Sequence, residues 1–292
     1  MIAPKETLAN IKAARAPEGQ CETLMFLREG RERKAIGGLR TRPHFQKTNI
    51  NRDPLITVIT VVLNGEEHLE KTIRSVINQT YYNFEYLVID GGSTDGTLEI
   101  IRKYEYAIDY WVSERDEGIY DAMNKGSSLA FGRWVNFLNA GDRYVAGALA
   151  HVKQTLDDKY LAMKYLVKTE DDEIRIERAS VSYLSRHMLN HQGIFYNKKA
   201  LFNQFDSGMR IASDFKHLVE YKLWRQLGYN DFLVVDYLGG GAATKRESIL
   251  INWKERSACF KWHGMPVYEK FIYFLVAIIG IVTNYSKALA KQ

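Results

Sequence analysis

The amino-acid sequence predicts an α/β domain with a mostly parallel central sheet that is flanked by helices. Two observations carry this prediction. Short runs rich in β-branched and aromatic residues recur through the middle of the chain, and segments with helical periodicity separate them. Strands that alternate with helices form parallel sheets, and the ligands of such sheets bind at the carboxyl ends of the strands.

The first predicted strand covers residues 56–63, an apolar run typical of a strand that is buried on both faces. A helix is expected after it, with Asn64 as its cap and Glu67 as the capping-box partner. The buried face of this helix would comprise Leu69, Ile73, Val76 and Ile77. A second strand is predicted over residues 84–89, and the helix that follows it would end at Lys103.

Two further strands are predicted at residues 110–112 and 134–138. Polar side chains lie at three of the predicted strand ends, namely Asn64, Asp90 and Asp142. Because the carboxyl ends of parallel strands meet at one edge of a sheet, these residues are candidates for a ligand site.

The composition is that of a globular protein with one large domain or two small ones. The chain has 292 residues, of which 46% are apolar and 26% are charged. These values exclude disordered, collagen-like and disulfide-scaffold chains. Cys21 and Cys259 are far apart and have no metal-binding spacing, which favours a reduced, cytosolic setting. The N-terminal residues lack the apolar core of a signal peptide.

Charge divides the chain into three parts. Residues 1–52 carry a net charge of +6, residues 53–244 a net charge of −6, and residues 245–292 a net charge of +5. We therefore predict a basic leader over residues 1–52, a folded domain over residues 53–245, and a basic C-terminal helical arm over residues 246–292. The negative central domain argues against a nucleic-acid binder, whereas the basic arms suit an anionic surface such as a membrane.

The C-terminal arm contains an uncharged stretch at residues 271–286. These 16 residues are fewer than the roughly 20 that span a bilayer. Four basic residues precede the stretch: Lys254, Arg256, Lys261 and Lys270. This composition predicts an arm that associates with an anionic membrane surface. A buried core helix or an oligomer contact is the alternative.

The run D-G-G-S-T-D-G-T at residues 90–97 follows the second strand. It lacks the G-x-G-x-x-G spacing of dinucleotide-binding loops, and it is not a phosphate-binding G-x-x-x-x-G-K-[ST] loop. A carboxylate at a strand end can accept hydrogen bonds from a base or a ribose, and glycines let a ligand approach the backbone. Taken alone, the run is better explained as a turn that precedes a helix.

The run does not stand alone. Residues 113–126 read S-E-R-D-E-G-I-Y-D-A-M-N-K-G, and the fourth strand leads into N-A-G-D at residues 139–142. In this order and spacing, the motifs resemble those of the family 2 glycosyltransferases of the GT-A fold, in particular a bacterial polysaccharide group. The resemblance covers residues 53–245 and implies a Rossmann-like domain that takes a sugar from a nucleotide donor.

The resemblance implies a nucleotide site made of particular residues. Asp90 would bind the base, and the loop after the first strand would contact base and ribose through Val62, Asn64 and Glu66. Where the family often has a tyrosine that can stack on the base, this chain has Leu63. The remaining donor-binding candidates are Asp121, Asn124, Lys125 and Asn139.

The resemblance also implies a divalent cation and a general base. The usual D-x-D metal motif is N-A-G-D here, so Asp142 is the candidate carboxylate for Mn²⁺ or Mg²⁺, with diphosphate oxygens completing the shell. His191, in the run H-Q-G, is a candidate for contact with the metal or the leaving diphosphate. Asp214 matches the family's base, and we expect it just before a helix over residues 215–227 with Leu218 and Leu223 facing inward.

These implications predict an inverting glycosyltransferase that uses a UDP- or GDP-linked sugar. Its acceptor would be a glycan or a lipid-linked glycan, and the protein would be cytoplasmic and peripheral at the inner face of the cell membrane. Two alternatives stay open. A nucleotidyltransferase on a similar sheet would need a basic glycine-rich loop where this chain has the acidic run L-N-G-E-E at residues 63–67. A non-catalytic scaffold of a polysaccharide assembly complex would not need Asp90, Asp142 and Asp214 together.

Overall fold

The structure is a computed structural model that describes residues 23–27, 32–47, 53–169, 171–180, 183–184, 187–239 and 248–261. Ten strands of the described chain join one sheet. They are β1 (Ala35–Gly37), β2 (Ile56–Val62), β3 (Phe84–Asp90), β4 (Tyr110–Ser113), β5 (Trp134–Phe137), β6 (Arg143–Tyr144), β7 (Ala162–Lys168), β8 (Ile174–Arg175), β9 (Ile194–Asn197) and β10 (Leu227–Asp236). The helices of the same ranges are α1 (Leu69–Ile77), α2 (Thr97–Lys103), α3 (Ile119–Leu129), α4 (Ala148–Thr155), α5 (Ser213–Glu220) and α6 (Ser248–Lys261).

The sheet is mixed, with a parallel part at its centre. Its strand order is β1-β4-β3-β2-β5-β9-β7-β10-β6, and β8 pairs with β7 outside this path. Strands β4, β3, β2 and β5 are parallel, as are β7 and β10. The four strands predicted from the sequence are those of the central parallel part, and the other strands pair mainly antiparallel around it.

Helices cover both faces of the central strands. Alternate residues of β2 belong to two separate cores: Ile59 and Val61 pack in one, and Val58 and Val62 pack in the other. All seven residues of β2 are buried, as the continuous apolar run predicted. This two-sided burial fixes the strand, and its carboxyl end therefore presents the next residues at a defined edge.

The predicted cap of α1 is wrong. The N-cap residue is His68, without a side-chain bond, and Asn64 lies outside the helix with a φ of 51°. The left-handed backbone at Asn64 turns the chain, and the carbonyl of Gly65 then accepts the N–H groups of His68 and Leu69. The buried face is as predicted, except that Ile77 is only half-buried.

Helix α5 is shorter than the helix expected over residues 215–227. It covers Ser213–Glu220, and Lys222 then adopts a left-handed φ of 53° that ends the helical run. A single 3₁₀ turn follows at Leu223–Arg225 before β10 begins. Leu218 and Leu223 are both buried, as expected.

The sheet begins inside the predicted leader. Strand β1 pairs antiparallel with β4, and the 3₁₀ turn that follows it places Arg40 in the interior. Arg40 forms an ion pair with Glu85, and neither side chain is exposed. Residues 35–41 of the predicted leader therefore form part of the sheet and its core. The division of the rest of the chain into leader, domain and arm stays a prediction.

The C-terminal arm is described only in its first part, which forms α6. The uncharged stretch at residues 271–286 lies outside the described residues. Within the described ranges, we find no helix with both the length and the apolar character needed to cross a membrane.

Candidate active site

Asp90 lies at the end of β3, where its carboxylate organises the loop that follows. The side chain is fully buried. It accepts hydrogen bonds from the hydroxyls of Ser93 and Ser113, both at 2.5 Å, and from the Ser93 N–H at 3.2 Å. Gly92 has a φ of 88°, a conformation that favours glycine, and this lets the loop fold back over the carboxylate. Asp90 therefore shapes the loop whose surface a nucleotide would meet.

The loop after β2 and the loop after β3 form one hydrogen-bonded unit. The Asn64 side chain accepts the Thr94 N–H at 2.9 Å, and Glu66 accepts the Gly96 N–H at 2.6 Å. Val62 is buried, and its carbonyl accepts the Gly91 N–H at 2.9 Å. The structure thus brings the predicted base and ribose residues to one edge of the sheet, beside the 60% exposed Leu63.

Lys125 on α3 is surrounded by carboxylates. Its Nζ lies 3.1 Å from both Glu114 Oε1 and Asp121 Oδ2, and it donates to the Arg115 carbonyl at 3.2 Å. Burial alone would lower the pKa of Lys125, but its bonds to Glu114 and Asp121 raise that pKa above the usual value. The lysine is therefore a fixed positive charge at the same edge as Asp90.

Asn124, one position before Lys125, makes two hydrogen bonds to the backbone of Phe205. Its amide donates to the Phe205 carbonyl at 2.8 Å and accepts the Phe205 N–H at 2.9 Å. Both polar atoms of the side chain are used, so Asn124 ties α3 to the segment that leads to α5. Donor binding by Asn124 stays a prediction.

A chain of contacts joins the N-A-G-D motif to the candidate base. Asn139 Nδ2 lies 3.2 Å from His191 Nε2, and His191 Nδ1 lies 2.9 Å from Asp214 Oδ2. The other oxygen, Asp214 Oδ1, lies 3.0 Å from the Tyr120 hydroxyl and accepts the Phe215 N–H at 2.8 Å. Burial, reinforced by the Asp214 charge, holds the pKa of Tyr120 well above its usual value, so this phenol keeps its proton.

Helix α6 holds the segment just before Asp214. The Glu255 carboxylate accepts three backbone N–H groups at 2.8–3.0 Å, those of Arg210, Ile211 and Ala212. The first N–H groups of a helix have no partner within the helix, and Glu255 satisfies that of the N-cap residue Ala212 together with the two N–H groups before it. The arm predicted for membrane contact therefore begins with a helix that fixes the neighbourhood of the candidate base.

Asp142 suits a divalent cation in part. It is 3% exposed, accepts the Leu238 N–H at 3.1 Å, and has a pKa raised to about 6 because burial disfavours its charged form. A bound cation would offset this cost. Nearby in the chain, the buried Asn139 Oδ1 has no hydrogen-bond partner and is the type of oxygen that hard cations bind.

His191 is less suited to the metal, because both of its ring nitrogens already have partners. Across the described ranges, no three His, Cys, Asp or Glu side chains form a group that could hold a metal ion. Asp142 and Asn139 are therefore the residues that would hold a cation, and most of its other ligands would have to come from a bound donor.

Sequence reasoning missed several residues of this edge. Asp116 packs against Gly91 so closely that a Cβ at Gly91 would lie 2.4 Å from its carboxylate, and burial raises the Asp116 pKa. Tyr120 contacts Asp214, and Gln192 hydrogen-bonds Asp142. All three lie within the sequence motifs described above, but the motifs alone did not indicate their contacts. Glu255 had no motif to mark it.

Comparison with known proteins identifies the family. The protein-family model for glycosyl transferase family 2 matches residues 57–218, which is more than half of the chain. An uncharacterized glycosyltransferase of Mycobacterium tuberculosis is 41% identical over 92 residues, which cover 31% of this chain and 35% of that protein. A PGL/p-HBAD biosynthesis glycosyltransferase of Mycobacterium bovis is 39% identical over 103 residues, covering 34% of this chain and 40% of that protein. The chain thus spans less than half the length of these curated relatives.

Solved structures confirm the predicted GT-A fold. TarS 1-349 from S. aureus matches with a TM-score of 0.59 and 16% identity, over 76% of this chain and 70% of that 1-349 chain. The mannosyltransferase PcManGT from Pyrobaculum calidifontis, in complex with GDP-Man and Mn²⁺, matches with a TM-score of 0.58 and 18% identity, over 85% of this chain and 79% of its own. With the family model matching most of the central sheet, the chain belongs to glycosyl transferase family 2.

Proposed function

We propose that this protein is an inverting glycosyltransferase that moves a sugar from a nucleotide-diphosphate donor to an acceptor hydroxyl. The product would belong to a polysaccharide, a lipopolysaccharide or another surface glycan. The observation that carries the proposal is the contact chain from Asn139 through His191 to Asp214. It links the donor-side motif to a carboxylate that can act as a base, although 75 residues separate the two in sequence.

The reaction is a single displacement at the anomeric carbon. The acceptor oxygen attacks as its proton leaves, and a positioned carboxylate that takes this proton accelerates the step by about 10²–10⁴-fold. Asp214 has this role in the proposal. Its contacts with Tyr120, Phe215 and His191 hold both oxygens in one orientation, as a general base requires.

The leaving group is a nucleoside diphosphate. Lys125 lies at the same edge and supplies a positive charge toward the developing phosphate charge. Asp142 and Asn139 would hold Mn²⁺ or Mg²⁺, and such a cation, when bound, stabilises the leaving diphosphate. The structure of PcManGT contains GDP-Man and Mn²⁺, and a structure of TarS contains UDP. These two complexes support a UDP- or GDP-linked donor here.

The acceptor side of the proposal rests on the termini. We infer a glycan or lipid-linked acceptor and a peripheral position at the cytoplasmic face of the membrane, because the basic arms suit anionic lipid. Flotation of the full chain with vesicles that contain anionic lipid tests this part. Binding should fall in high salt and on deletion of residues 263–292, and equal flotation of the truncated protein would contradict it.

A thermal-shift panel of UDP- and GDP-linked sugars, each with and without Mn²⁺, tests the main proposal. A ligand present at 100 times its Kd stabilises the folded state by about 2.7 kcal/mol. At about 2–4 °C per kcal/mol for a protein of this size, the matching donor should raise the Tm by roughly 5–11 °C. Hydrolysis of that donor should then give the inverted anomer by NMR. A panel without any shift, or a product with retained configuration, would refute the proposal.

A further inference from the structure

Two cations that precede β1 reach the edge of the sheet where the nucleotide site lies. Strand β1 runs antiparallel to β4, with Ala35 opposite Ser113 and the Lys34 N–H donating to the Ser113 carbonyl at 2.8 Å. Since β4 ends at Ser113, beside Asp90, the residues before β1 come to the carboxyl ends of β3 and β4. Arg33 and Lys34 are therefore next to the candidate donor loop, although they lie outside the residues that the family model matches.

Lys34 holds the backbone of the loop after β3. Its Nζ donates to the carbonyl of Gly92 at 2.9 Å and to that of Ser93 at 2.7 Å. Charge-assisted bonds of this length are stronger than bonds between neutral groups. Because Ser93 also bonds to Asp90, the side chains of Lys34 and Asp90 both stabilise this short loop.

Arg33 balances the charge around Lys125. Its guanidinium lies 2.6 Å from the nearly buried Glu114, and the other oxygen of Glu114 lies 3.1 Å from Lys125. Asp121 is a second carboxylate at 3.1 Å from Lys125. With Arg33, these four side chains sum to zero charge. Without Arg33, two carboxylates would outweigh the one lysine, and the nearby carboxyl of Asp116, which also interacts with Lys125 and Asp121, would add to the negative charge that a phosphate meets.

We propose that Arg33 and Lys34 are positioning residues of the donor site, where they shape the loop and set the local charge for the nucleoside diphosphate part of the substrate. This inference rests on the proposed function. It assigns a role to a segment that carries none of the family motifs, and it predicts an effect on nucleotide affinity that is separate from any effect on folding.

Lys47 provides a matched control. It belongs to the same N-terminal segment, lies 3.2 Å from the carboxylate of Asp109, and donates to the Phe84 carbonyl. Phe84 is the first residue of β3, so this contact lies at the opposite end of the strand from Asp90. Lys47→Met therefore removes the same kind of lysine anchor as Lys34→Met, away from the donor loop.

The experiment is calorimetric titration of the full-length variants with UDP and with GDP, both in the presence of Mn²⁺, alongside thermal unfolding. Lys34→Met should weaken binding of the preferred nucleotide at least tenfold, and Lys34→Arg should stay within threefold of the wild type. Arg33→Met should weaken binding at least fivefold, most strongly at low salt, and Arg33→Lys should restore part of the loss. Lys47→Met should bind within twofold of the wild type even if its Tm falls.

The outcomes separate the two proposals. Wild-type affinity in both Lys34→Met and Arg33→Met, or an equal loss in Lys47→Met, would overturn this inference while leaving the glycosyltransferase proposal intact. If the wild-type protein binds neither nucleotide, both proposals fall together.

Discussion

The buried ion pair between Arg40 and Glu85 connects the segment at residues 35–41 to the central sheet, and its removal tests how much this segment stabilises the fold. Neither side chain is exposed. Arg40 also donates to the Leu129 carbonyl at 2.8 Å, and its guanidinium lies 4.0 Å from the centre of the Phe131 ring. Glu85 accepts further bonds from Thr57 and from the Phe131 N–H. We predict that Arg40→Met destabilises the protein far more than substitution of a solvent-exposed arginine would.

The magnitude follows from the charge left behind. Removing one member of a buried pair costs about 3–5 kcal/mol, because the remaining charge is buried without its counter-ion. Loss of the bond to Leu129 adds about 1 kcal/mol. The bonds that Glu85 keeps, to Thr57 and Phe131, reduce the total, so we expect about 4 kcal/mol. That corresponds to a fall in Tm of roughly 8–16 °C.

A double-mutant cycle separates the pair from its surroundings. Glu85→Gln keeps one acceptor oxygen, which can still accept the bonds from Thr57 and Phe131, but it leaves Arg40 without a counter-ion, and we expect it to cost about 3 kcal/mol. The double variant buries no charge at this site. Its loss of stability should therefore be smaller than the sum of the two single losses, with a coupling energy near 3 kcal/mol. Arg42→Met, at an exposed position of the same segment, should change stability by less than about 0.5 kcal/mol. Urea unfolding followed by circular dichroism and by fluorescence gives these values, and additive effects of the two single substitutions would refute the reasoning.

Three further predictions concern the site and its surroundings. Asp142→Asn keeps the bond to Leu238 but removes the charge, so Mn²⁺ should no longer strengthen UDP or GDP binding in calorimetry, and a preserved Mn²⁺ effect would exclude Asp142 as a ligand. Asp214→Asn should lower turnover by about 10²–10⁴-fold with donor affinity nearly unchanged, and a loss below tenfold would point to another base. His217 is buried, which lowers its pKa to about 4, so the unfolded chain takes up the proton first as the pH falls below 6.5. Between pH 6.5 and 5 the wild type should therefore lose about 1.6 kcal/mol more stability than His217→Gln, and parallel pH profiles would contradict this.

The central strands and the site's general location could be predicted from the sequence because they follow from local patterns. The apolar run of β2 and the polar residues at the ends of β3 and β5 place a site at the sheet edge without any knowledge of tertiary contacts. The cap of α1 could not be predicted in this way. Asn64 is a good capping residue by type, but the bond from Thr94, 30 residues away, uses its side chain instead.

Non-local contacts explain the other gaps as well. The bonds between the amide of Asn124 and the backbone of Phe205 could not be predicted from the Y-D-A-M-N-K-G motif, because Phe205 lies 81 residues away. Arg40 and Glu85 are 45 residues apart, and Glu255 and Ile211 are 44 apart. Such pairs leave no periodicity in the sequence, because each is set by how distant elements pack.

These distant pairs imply that the part of the chain that carries the family motifs does not fold stably without the residues that flank it. A protein trimmed to residues 57–218 would retain Asp90, Asp142 and Asp214 but lose Arg40, Glu255 and the whole of β10. Glu85 would then be a buried carboxylate without a counter-ion, the N–H groups before α5 would lack an acceptor, and β7 would lose its parallel neighbour. We expect this fragment to show no cooperative urea transition, whereas residues 23–261 should unfold cooperatively. A cooperative transition in the fragment, at the midpoint of the longer protein, would show that the flanking contacts are dispensable.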